Sequence, residues 1–145
     1  MDNLVWDRSA ENLRFPIEVR DSNLGEILSK DSWILEGVQY NWGIESFNKA
    51  DLIFVLKPHT LVRDYRVLRR FIRTRIGIER WNYKQSFKNL YKMIVVWNRG
   101  YDREGFSKII ELTDSIAEKR VVVRNLKEIE SYMEKHHNGL QKTSA

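Results

Sequence analysis

Six arginines stand between positions 63 and 75 against a single acid, Asp64. Among them Arg63, Arg66, Arg70 and Arg73 recur at helical spacing, so one helix face would carry all four guanidinium groups. Guanidinium is a planar fork that holds carboxylate or phosphate oxygens in pairs. An arginine-only row therefore reads as a phosphate-contact surface, with Arg66 and Arg70 first. A solvated face with local ion pairs is the competing reading, although solubility alone accounts better for a Lys/Glu mixture. The second candidate is Glu36, which closes the apolar segment of Trp33-Ile-Leu-Glu-Gly37. Open α/β sheets bind ligands outside the carboxyl ends of their strands, which is where this carboxylate would stand. An acid that stabilises the turn competes with that role.

Other chemistries find less in the sequence. There are no cysteines, and the three histidines, His59, His136 and His137, lack ligand spacing, so neither a disulfide nor a bound metal is expected. Trp42, Trp81 and Trp97 lie near basic residues and would stack on bases in a single-strand binder, but tryptophans more often pack a core. Lys84, Lys88 and Lys92 read as the wet face of a helix. A net charge of +5 and a pI near 9.5 suit an anionic partner without specifying one. The longest uncharged apolar run of the second half, 93–97, is far short of the roughly 20 residues a spanning helix needs, and the N-terminus has no signal pattern. A cytoplasmic protein with no membrane partner is expected.

The elements that must position these residues follow from periodicity. Pro16 suits a first helical turn, and Ile17, Leu24, Ile27 and Leu28 predict a helix over 16–30. Residues 33–35 read as a short buried strand, and 37–43 as a loop with Tyr40, Asn41 and Trp42 partly exposed. The continuous apolar run 52–56, bounded by Asp51 and Lys57-Pro58, is the pattern of a strand covered on both faces, which belongs to parallel sheets. After Pro58 the period becomes helical: Leu61, Tyr65, Leu68 and Ile72 form the apolar stripe beside the arginine row, and Gly77 is the stop. A helix over 83–97 carries Phe87, Leu90, Tyr91 and Ile94 on one face. Phe106, Ile109, Ile110, Thr113 and Ile116 predict the next helix, and 120–124 a β-branched strand. Asn125 caps the last helix by accepting from the Glu128 amide, with Leu126, Ile129 and Met133 as its buried stripe. Without repeats or linker composition, residues 1–135 read as one domain and 136–145 as a polar tail.

Four segments in order carry a resemblance: Met1-Asp-Asn-Leu-Val-Trp6, Ser32-Trp-Ile-Leu-Glu-Gly37, Asp51-Leu-Ile-Phe-Val-Leu56 and Tyr65-Arg-Val-Leu-Arg-Arg70. Together they resemble the bacterial P-loop proteins called DNA topology modulation proteins or AAA-type ATPases, relatives of adenylate kinase, over nearly the whole chain. The resemblance implies an α/β fold: a three-layer, nucleoside-kinase-like parallel sheet with a helical lid at about 59–105. It implies Mg-ATP as cofactor and a small-molecule acceptor, with Asp2 at the mouth of the site and Glu36 beside it as catalytic acids. Arg66, Arg70 and Arg73 would close over the phosphates, and Arg99 and Arg103 would form the other lid edge. The family's phosphate loop, G-x-x-x-x-G-K-[ST], occurs nowhere in the sequence. Met1-Asp2 matches the end of the family's second strand, so a βαβ unit of roughly 30 residues is expected to be missing and the sheet incomplete at its N-terminus. The chain alone would then bind no nucleotide.

Three classes of function are therefore open. The first is an ATP-dependent phosphotransferase or NTPase when complete. The second is a basic nucleic-acid-binding module. The third is a non-catalytic interaction module that self-associates or pairs with another chain through an open sheet edge.

Overall fold

A computed structural model describes residues 2–7, 13–37, 40–78 and 86–142. The chain divides into two compact units, Met1–Asp51 and Leu52–Ala145.

The first unit opens with a single helical turn, α1 (Asp2–Val5), followed by two-residue strands β1 (Trp6–Asp7) and β2 (Leu13–Arg14), paired antiparallel. The Phe15 amide donates to the Val5 carbonyl at 3.0 Å and extends that pairing. Helix α2 (Ile17–Leu28) starts after Pro16, whose missing N–H costs nothing at a helix start. It buries Leu24 and Leu28 against Leu4, and Ile27, Trp33, Leu35 and Trp42 pack around this small core. The Arg20 guanidinium lies over the Trp42 ring at 4.4 Å. Tyr40 and Trp42 are half-buried and Asn41 exposed, as the loop reading expects. A short α3 (Ile44–Lys49) completes the unit.

The strand expected at 33–35 does not form. Trp33 and Leu35 turn toward the core while Ile34, 96% exposed, turns away. This is the alternation of a strand, but no ladder partner is present among the described residues, and a strand is defined by its ladder.

In the second unit β3 (Ile53–Leu56) pairs parallel with β4 (Arg120–Val123), Ile53 opposite Arg120 and Leu56 opposite Val123. The Lys57 amide adds a bond to the Val123 carbonyl at 2.7 Å. Ile53 and Val55 are buried on one face of β3, whereas on the other Phe54 is half-buried, edge-on to Tyr132 at 5.5 Å, and Leu56 is exposed, so the strand expected to be covered on both faces is fully covered on one. Long helical crossovers join parallel strands, and here α4 (Thr60–Arg75) begins one. It ends in a Schellman motif, with the Gly77 amide donating to Thr74 and Ile78 to Arg73, and Gly77 at φ +78°. Then come α5 (Phe87–Tyr91), a π-helical stretch Lys92–Asn98, a second at Tyr101–Gly105, α6 (Phe106–Leu112) and a 3₁₀ stretch Asp114–Lys119. Thr113 is wholly buried where α6 ends. Its hydroxyl donates to the Ile109 carbonyl and accepts from the Arg120 guanidinium at 2.9 Å, tying the crossover to β4.

After β4 comes α7 (Leu126–Lys142), so most of the segment read as a polar tail continues a helix. Its cap is the one expected. The Glu128 amide donates to Asn125 Oδ1 at 3.1 Å, and the Glu128 carboxylate accepts from Asn125 Nδ2 and, at 2.8 Å, from the Arg124 amide.

Several apolar stripes face outward instead of inward. On α4 Leu61, Tyr65, Leu68 and Ile72 are 67%, 64%, 43% and 49% exposed. The helix buries Phe71 and Thr74 instead, with Val67, Arg63 and Asp64 half-buried. Its inward face is therefore turned away from the expected stripe, because the polar contacts of Arg63 and Asp64 set the rotation. On α5 Phe87 and Tyr91 are exposed while Met93, in the π-helical stretch, is buried. On α7 Leu126 and Met133 are exposed and Ile129 is half-buried. Trp81 and Lys84 lie outside the described residues.

Candidate functional site

The carboxyl end of β3 runs directly into α4, and that junction is the most organised polar region of the second unit. His59 caps α4, its Nδ1 accepting from the Leu61 amide at 3.3 Å. The Tyr101 hydroxyl donates to the Leu56 carbonyl at 2.6 Å, satisfying the last acceptor of the strand. Next to it the Thr60 hydroxyl donates to Asp102 Oδ2 at 2.6 Å, and the Arg63 guanidinium pairs with the other carboxylate oxygen. Arg63 also donates to Thr60 Oγ1 and lies over the Tyr101 ring at 5.0 Å. Lys57 Nζ stands over the Phe106 ring at 3.7 Å.

One turn further along α4, Asp64 accepts from Asn98 Nδ2 and Arg99 Nη2, both at 2.8 Å. The partners that meet α4 thus come from residues 98–102, at the join of the two π-helical stretches. Bonds from i to i+5 widen the turn, and such widened turns recur at functional positions.

Electrostatics follow from this packing. Partial burial pushes the Asp102 carboxyl up, yet the Thr60 hydrogen bond, the Arg63 pair and the Arg99 charge together hold it below its ordinary value. Tyr101 goes the other way: burial raises its phenol, Asp102 adds to the rise, and Arg63 opposes it. Arg63 Nε is buried without a hydrogen-bond partner among the described residues. Arg63 is thus already matched by Asp102 and fastens the two helices together.

The other arginines divide by what they touch. Arg99 is committed to Asp64, Arg70 sends Nη2 to within 3.8 Å of Met93 Sδ, and Arg73 is half-buried. Arg66 and Arg103 are exposed and have no acidic partner among the described residues. Arg66, Arg70 and Arg73 lie on α4, Arg99 follows the first π-helical stretch, and Arg103 is in the second. Asp2 heads α1 and Glu36 is an exposed residue with no strand ahead of it; both belong to the first unit, whereas all five arginines belong to the second. Thr60, Tyr101 and Asp102 escaped the sequence reading. The signals were there: Pro58-His59-Thr60 directly after an apolar strand, and an acid beside Arg103 in a basic stretch.

No family model, curated protein or solved structure matches this chain. Among the described residues no group of three His, Asp or Glu is placed to hold a metal ion, and no helix is long and apolar enough to cross a membrane.

Proposed function

We propose that this chain is the body of a P-loop nucleotide-binding protein of adenylate-kinase-like type. With a phosphate loop it acts as a cytoplasmic, ATP-dependent phosphotransferase or NTPase on a small-molecule acceptor. The observation that carries this reading is the parallel β3–β4 pair joined through a helical crossover, whose first helix starts at the carboxyl end of β3 and bears the arginines. Ligands of open α/β sheets bind at that edge. Arg66 and Arg70 stand first for the phosphates, with Arg73 next on α4 and Arg99 and Arg103 as the other lid edge.

Arg66 and Arg103, exposed and without an acidic partner among the described residues, fit a polyphosphate. Magnesium in such sites is held largely by the phosphates and a few protein oxygens, so a dedicated carboxylate cage is not required. Bound Mg-ATP supplies the transferable phosphoryl group, and the arginines offset the charge on its oxygens. The sequence carries no G-x-x-x-x-G-K-[ST] loop, so the chain by itself is proposed to be inactive.

Isothermal titration tests this. The chain alone gives no heat with Mg-ATP, whereas a protein in which a strand, Gly-rich loop and helix precede it binds in the micromolar range. In that longer protein Arg66→Ala with Arg70→Ala weakens binding by about tenfold or more. Failure of the longer protein to bind removes the reading.

A further inference from the structure

We draw no further inference here: the strongest candidate, the exposed apolar face that Leu61, Val62, Tyr65, Leu68 and Ile72 form on α4, carries nothing, because nothing in the structure shows what covers it.

Discussion

Asp102 is the residue on which the β3–α4 junction turns. It accepts from Thr60 and Arg63, and its loss would leave a guanidinium whose Nε is already buried and unsatisfied with no counter-charge among the described residues. Asp102→Ala is expected to lower stability by about 1–3 kcal/mol in urea unfolding, toward the lower end because the carboxylate is partly solvated. The pH profile carries a matching signature. The carboxyl is held below its ordinary value of 3.8, so its contribution is complete at neutral pH and drains away as pH falls through the folded value. Tyr101 has the opposite sign: its phenol is raised above 10.0, so its contribution is complete below that value and is lost as pH rises through the folded one. Asp102→Ala should flatten the acid limb of the urea midpoint against pH, and Tyr101→Phe the alkaline limb. An acid limb identical in wild type and Asp102→Ala would show that the carboxylate contributes nothing.

At the scale of elements, helix ends were legible because their signals are local. Pro16 before α2, Asn125 with Glu128 before α7, and Gly77 after α4 each act within a few residues of chain. Gly77 gives a clean measurement. A Cβ there would meet nothing within 4 Å, so only the left-handed backbone opposes a side chain. Gly77→Ala should cost about 1–2 kcal/mol, and Gly77→Asn less, since Asn tolerates that conformation. Equal costs for the two would point to a steric cause instead. Helix rotation was not legible in the same way. The stripe Leu61, Tyr65, Leu68 and Ile72 reads as a core stripe, but α4 turns Phe71, Thr74 and Arg63 inward because Asp102, Asn98, Arg99 and Met93 meet it on that side. Those partners are 23 to 39 residues away in sequence.

For the whole molecule, the two units differ in what holds them. The first has three buried aliphatic side chains at its centre, Leu4, Leu24 and Leu28, and pairs its two strands over only two residues each. A unit of that length with so small a core is marginal. The second has the four-residue parallel ladder, the buried Val55 and Val123 and the Thr113–Arg120 tie. Native-state hydrogen exchange should therefore find the amides of β3 and β4 the slowest and those of α2 well ahead of them, opening at lower denaturant. Exchange of α2 in step with β3 and β4 would mean that the units unfold as one.

The sequence by itself determined the positions of α2, β3, α4 and β4, the caps at Asn125 and Gly77, and the concentration of arginine on one helix. These depend on periodicity and on groups a turn apart. Only tertiary structure decided that residues 33–35 find no ladder partner among the described residues, that α4 shows its apolar stripe to solvent, and that Asp102 and Thr60 meet Arg63 at the end of β3. A pattern of residue types states which side chains share a face, but which face turns inward is decided by distant partners competing for it.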